Sequence, residues 1–137
     1  MNTYTFDEIN IGQISDFTVE VKEEMLDAFK GITGDINPLH NDEEYAKGKG
    51  YKGKVVYGML TASFMSTLAG VYMPGERSLI KEMHIKYTKP VYIGDTLLVT
   101  GEVTEMHESF NMIVLKVTIK NQMGEKVLRG SMDIIVQ

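Results

Sequence analysis

Asp35, Asn37 and His40 place a carboxylate, a carboxamide and an imidazole within six consecutive residues, in the stretch Thr33-Gly34-Asp35-Ile36-Asn37-Pro38-Leu39-His40-Asn41-Asp42. A carboxylate and an imidazole held this close can act on one bound water, and each positioned acid or base is typically worth about 10²–10⁴ in rate. The same residues also suit a capped turn, with Asp35 and Asn37 accepting from nearby amides and His40 an ordinary surface residue. A calcium loop fits less well, because Leu39 and His40 stand where such a loop needs an oxygen ligand and a glycine.

The flanking pattern says how this stretch is held. Phe17, Val19 and Val21 alternate with Thr18 and Glu20, which predicts a half-buried strand over 14–21. From about Lys22 the period lengthens: Met25, Leu26, Ala28, Phe29 and Ile32 form one apolar stripe of a helix, with Glu23 and Glu24 in its first turn, where the helix dipole favours negative charge. Gly34 is placed to cap that helix in the left-handed conformation, and Pro38 bars its continuation. The polar cluster is therefore expected on irregular backbone at a helix exit.

Residues 47–54, Lys-Gly-Lys-Gly-Tyr-Lys-Gly-Lys, read as a basic loop that could draw the phosphates of a nucleotide-bearing ligand or could simply be solvated. They lack the Gly-Lys-Ser/Thr of a P-loop. A second helix is expected from Gly58 to Tyr72. Met59, Leu60, Ala62, Phe64, Met65, Leu68, Ala69 and Val71 leave it almost no polar face, so burial on several sides follows. Thr61, Ser63, Ser66 and Thr67 interrupt it, each able to bond back to the preceding turn.

Beyond Pro74-Gly75 the alternation is two-residue throughout. Met83, Ile85 and Tyr87, then Thr96 to Met106, then Ile113 to Ile119, then Leu128 to Val136 predict four strands, with turns at Gly94-Asp95 and at 121–125. Short connections of this kind predict an antiparallel meander. The sheet has one apolar face and the helix is apolar all round, so the sheet should wrap the helix: an α+β chain, residues 1–137 as one domain.

Composition narrows the classes. With 43% hydrophobic and 24% charged residues the chain is globular, and no run approaches the roughly 20 apolar residues of a membrane span. The first residues have neither the basic region nor the apolar run of a signal peptide, so a cytoplasmic location is expected. There is no cysteine, which excludes disulfides and thiolate chemistry. The net charge of −5 argues against nucleic acid as a partner. Ten methionines suit adaptable apolar packing, in a pocket or simply in core gaps. Zinc is not expected, since His84 and His107 fall on different strands, and no cofactor is implied.

Gly34 to Asp42, followed by Val56-Tyr57-Gly58-Met59-Leu60-Thr61-Ala62-Ser63 and later by Lys89-Pro90-Val91-Tyr92-Ile93-Gly94-Asp95, resembles the MaoC-like dehydratase family and its R-specific enoyl-CoA hydratases. The resemblance runs from about residue 10 to the end. It implies a hot-dog fold, a homodimer or higher homo-oligomer, and reversible hydration of a trans-2-enoyl thioester, of coenzyme A or acyl carrier protein, to the (R)-3-hydroxyacyl thioester. It implies Asp35 and His40 as catalytic, Gly58 as an N–H donor to the thioester carbonyl, and Ser66 in the active site. Asn37 would orient Asp35 or cap the loop backbone. Tyr57 stands where the family commonly has histidine, and Lys54 where arginine is common, so Tyr57 can hydrogen-bond to the site but cannot act as a base at neutral pH. The competing readings are a hot-dog acyl-CoA thioesterase and a non-catalytic acyl-thioester binding module. Many hot-dog thioesterases place a carboxylate on the central helix, and residues 58–72 contain no Asp or Glu.

Overall fold

The computed structural model describes residues Met1–Gln137. Five antiparallel strands form one sheet: β1 (Ile14–Glu20), β2 (Ser78–Tyr87), β3 (Thr96–His107), β4 (Met112–Lys120) and β5 (Lys126–Val136). Their spatial order is β1-β3-β4-β5-β2. Four α-helices accompany them: α1 (Glu23–Thr33), α2 (Pro38–Asn41), α3 (Glu43–Gly48) and α4 (Gly58–Thr67), the last continuing into a π-helical turn, Leu68–Tyr72.

The meander holds for β3, β4 and β5 only. β2 does not pair with β3, its successor; it lies at the far edge against β5, with Met83 opposite Met132 and Ile85 opposite Gly130. The Pro90 and Gly94 turns suggest a short hairpin connection, yet the segment between β2 and β3 crosses the end of the sheet. It is tied down on the way by Val56 N–H to Val91 O at 2.8 Å and Gly94 N–H to Val21 O at 2.8 Å. Turn residues mark where a strand ends and are silent about which strand it joins.

The sheet curls around α4 because both are apolar where they meet. Leu60, Ala62, Met65, Leu68 and Ala69 share one core with Val99, Val103, Leu115, Val117, Met132 and Ile134. The fit is close: a Cβ added at Gly101 of β3 would stand 2.7 Å from Leu68 Cδ2. Burial of α4 is incomplete, however. Met59 is 64% exposed, and Ser63 and Ser66, four and seven residues on, are exposed too. That spacing is a single helical face, so within one chain α4 is covered on all sides but one.

α1 ends as its sequence requires, with Gly34 left-handed at φ 71° and its N–H bonded to Lys30 O. α2 and α3 fall where the sequence suggests only irregular backbone. Pro38 does stop the preceding helix, but it also begins the next one: Asn37 caps α2, its side chain accepting from Leu39 N–H at 2.9 Å, with Pro38 in the first turn. Asp42 then caps α3, accepting from Tyr45 N–H at 3.0 Å ahead of Glu43 and Glu44. No helix is long and apolar enough to cross a membrane.

Candidate active site

Tyr57 is the residue around which the site is assembled. It precedes α4 and is 2% exposed. Its hydroxyl donates to the main-chain oxygen of Asp35 at 2.5 Å and accepts from Asn41 Nδ2 at 3.1 Å. Its ring lies between those of His40, centroids 4.2 Å apart, and Phe29, 4.7 Å apart. One side chain thereby touches the end of α1, the Asp35 loop and α2. In sequence Tyr57 is a departure from the usual histidine; in the structure it is the strut of the loop.

His40 is held by the segment that leads into α4. Its Nδ1 lies 2.6 Å from Val55 O, and Val55 N–H returns a bond to Leu39 O at 3.0 Å. A carbonyl only accepts, so Nδ1 carries the proton, and in the neutral ring Nε2 is left as the acceptor. Asp35 is exposed. One carboxylate oxygen accepts from Asn37 N–H at 3.0 Å, which closes a local turn, and its own N–H donates to Thr33 Oγ1 at 3.2 Å. Asn37 thus has its side chain on the α2 backbone and its amide on Asp35.

A cavity of about 320 Å³ brings His40 and Gly58 together, walled by Val56, Thr61, Tyr87 and Val91 among others. Gly58 opens α4, where the first amides have no helical partner and the helix end carries positive partial charge. Glycine leaves room there for the Tyr87 ring: an added Cβ would sit 3.0 Å from it, so the ring would have to give way. Partial burial pushes the Tyr87 phenol above its ordinary pKa, and Tyr87 Oη lies 3.6 Å from Met59 Sδ. Asp35, Asn37, Tyr57 and Ser66 do not line this cavity. Tyr57 is joined to the cavity through its contact with His40, Asp35 only by the bond from its main-chain oxygen to Tyr57, its carboxylate being on Asn37 N–H, and Ser66 belongs to the open face of α4.

Thr61 is the one side chain whose polar atom is buried without a partner. Ser63, two residues on, bonds back to Leu60 O at 2.6 Å as expected. Thr61 does not, although it is 2% exposed. An unpaired buried hydroxyl costs about 1–3 kcal/mol, and no pattern in the sequence distinguishes it from its satisfied neighbours.

The lysines of 47–54 are mostly engaged. Lys47 pairs with Glu43 at 3.5 Å and Lys54 with Glu23 at 2.8 Å, while Lys49 and Lys52 lie over the rings of Tyr45 and Tyr92 at 5.4 and 5.8 Å. The Lys54 contact holds the Glu23 carboxyl below its usual range, chiefly through their hydrogen bond, and raises Lys54 correspondingly. A larger cavity of about 640 Å³ contains Lys52, Lys54 and Lys89, but also Glu23, Glu43, Asp95 and Glu125, with Lys89 bonded to Glu125. Four carboxylates against three ammonium groups do not make a phosphate site. His84 and His107 are exposed strand residues, and no three His, Cys, Asp or Glu side chains are placed so as to hold a metal ion.

The family model described as MaoC like domain matches residues 8–124. The (R)-specific enoyl-CoA hydratase of Rhodospirillum rubrum is 30% identical over 131 residues, covering 96% of this chain and 90% of that protein. That of Aeromonas caviae is 30% identical over 122 residues, covering 89% and 91%. Among solved structures, the unliganded R-hydratase PhaJ1 of Pseudomonas aeruginosa matches with a TM-score of 0.91 at 30% identity, over 98% of this chain and 86% of that one. The sheet wrapped on α4 is thus the hot-dog arrangement.

Proposed function

The chain belongs to the MaoC-like domain family, and on that premise we propose that it adds water reversibly to a trans-2-enoyl-CoA, giving the (R)-3-hydroxyacyl-CoA, with Asp35 and His40 as the catalytic pair. The observation that carries this reading is the His40 Nδ1–Val55 O bond, which leaves Nε2 as the free ring nitrogen of a residue sharing a cavity with the start of α4.

The reaction makes three demands. A water must lose a proton as its oxygen bonds C3, C2 must gain a proton, and the thioester oxygen must be stabilised while it carries the enolate charge. The Asp35–His40 pair takes the proton from water and delivers one to C2, so it ends with as many protons as it began. The Gly58 N–H meets the third demand, aimed from a helix N-terminus at the charge as it develops. Asn37 holds Asp35 through its amide, and Tyr57 holds the Asp35 main chain and the His40 ring, so both act as positioning residues.

The proposal extends to a homodimer and to a cytoplasmic location. β2 is an edge strand with one side unpaired, and Leu79 and Tyr87 on it are 43% and 48% exposed, as is the Met59 face of α4. Lys81, Glu82, His84 and Lys86 are exposed on the same strand, so it is the unpaired backbone of this edge, with Leu79 and Tyr87 beside it, that suits pairing with a second copy. Ser66 lies on that same open face, so its part in the site would be played at the dimer interface.

The test is purified protein with crotonyl-CoA, followed by loss of the conjugated-alkene absorbance and by chiral analysis of the product. Absorbance loss with (R) product is expected. Release of free thiol without hydration would establish the thioesterase reading in its place, and binding without either change the non-catalytic one.

A further inference from the structure

We propose that the Thr61 hydroxyl is a second donor to the substrate's thioester carbonyl, acting beside the Gly58 N–H; the inference rests on the enoyl-thioester reading above. Three observations carry it. Thr61 Oγ1 is buried and has no hydrogen-bond partner anywhere in the chain. Thr61 is part of the wall of the cavity that holds His40 and Gly58. Of the two usual escapes for a helical threonine, the carbonyl three residues back, which Ser63 uses, is not taken by Thr61, and the carbonyl four residues back is already occupied. That carbonyl belongs to Tyr57 and already accepts from Leu60 N–H at 3.1 Å and Thr61 N–H at 3.2 Å, and a carbonyl oxygen has two lone pairs.

Direction supports the same target. A helical side chain leans toward the N-terminus and covers the turn before its own Cα. Thr61 therefore covers the turn that begins at Gly58, whose amide is the donor already assigned to the carbonyl. Threonine in a helix populates two χ1 wells, and rotation between them swings Oγ1 around Cβ toward a ligand seated against that turn. Val56, Val91 and Val127 stand in the same wall, and a valine has the shape of threonine, so it would fill the space equally well. What the hydroxyl adds is a donor with nothing to serve until a ligand arrives.

The test uses Thr61→Val and Thr61→Ser, each made in the full chain and again with Asp35→Asn to block turnover. In the Asp35→Asn proteins, the infrared carbonyl band of bound crotonyl-CoA labelled with ¹³C at the thioester carbon reads hydrogen bonding to that oxygen directly. The band is expected at lower frequency in the two proteins that keep a hydroxyl, the parent and Thr61→Ser, than in Thr61→Val. With Asp35 intact, kcat for hydration should fall on the order of 10²-fold in Thr61→Val and be largely kept in Thr61→Ser. Thr61→Val should melt no lower than the parent. Coincident bands overturn the proposal, as does an unchanged kcat. A marked fall in melting temperature does so too, since it would mean that the hydroxyl is satisfied inside the protein. If crotonyl-CoA binds but is never hydrated, the hydratase reading fails while the band difference still decides Thr61.

Discussion

The Tyr57 hydroxyl lies 2.5 Å from the Asp35 main-chain oxygen, twenty-two residues upstream, and the Tyr57 ring packs against His40 on the way. The two proposed catalytic residues are thus referenced to one phenol at the start of the central helix. A histidine at this position could not both span to the Asp35 carbonyl with a hydroxyl and fill the gap between Phe29 and His40 with a six-membered ring.

Tyr57→Phe, which keeps the ring and removes both bonds of the hydroxyl, should leave the fold intact and cost about 1–3 kcal/mol of stability, the usual net worth of two hydrogen bonds. The larger effect is expected on turnover, because the Asp35 loop loses its anchor and small misplacements of reacting groups are expensive. A chemical melt read beside kcat checks it: a fall in kcat clearly exceeding the stability loss supports positioning. A variant with unchanged kcat would make Tyr57 a packing residue only.

Asp35→Asn should fold normally, since its side-chain oxygen can still accept from Asn37 N–H and the residue is exposed. Activity should fall by about 10²–10⁴. If Asp35 and His40 act as a unit on one water, Asp35→Asn and His40→Gln together should cost little more than either alone, because residues acting as a unit are not additive. Steady-state kinetics on the two single variants and the double variant decide it. Full additivity would separate their roles.

Much of this architecture can be read from residue order. The two-residue alternation of Ile113, Leu115, Val117 and Ile119 and the spacing of Met25, Leu26 and Phe29 specify β4 and α1 because local geometry alone sets those periods. Gly34 and Pro38 place the loop for the same reason. Three things escape. The pairing of β2 with β5 is decided by the whole sheet, and nothing in Met83, Ile85 or Tyr87 names a partner. α2 and α3 are too short to show a period, although Asn37-Pro38 and Asp42-Glu43-Glu44 are their start signals. The isolation of the Thr61 hydroxyl depends on which carbonyls are already occupied, a tertiary fact with no signature in order of residues.

Lys54 and Glu23 tie the segment before the site to the start of α1 at 2.8 Å. Glu23 is held below 4.5 and Lys54 above 10.5. A lowered carboxyl stabilises the fold above its unfolded pKa, and that contribution disappears as pH falls through the folded value. A raised ammonium stabilises below its unfolded pKa and loses its contribution as pH rises through the folded value. The pair therefore contributes across the range between about pH 4.5 and 10.5 and fades outside it. Lys54→Met should lower the melting temperature slightly at pH 7, with the difference shrinking toward pH 3 and in high salt, because Glu23 is exposed and screened. A difference that persists in molar salt would trace to packing of the lysine stem instead.

The unpaired edge of β2 gives the last test. Leu79 is 43% exposed on that strand, pairing with Ile135 on its inner side only, and Met59 is 64% exposed on the open stripe of α4. If a second copy covers both, a lysine in place of Leu79 puts an unpaired charge into that contact and opposes the pairing. Wild-type protein should sediment as a dimer, and Leu79→Lys should sediment as a monomer at the same concentration with its far-ultraviolet spectrum unchanged. The monomer should also lose activity if Ser66, on the exposed face, completes the site only when that face is covered. A monomeric wild type with full turnover would show that the cavity holding His40, Gly58 and Thr61 is sufficient within one chain.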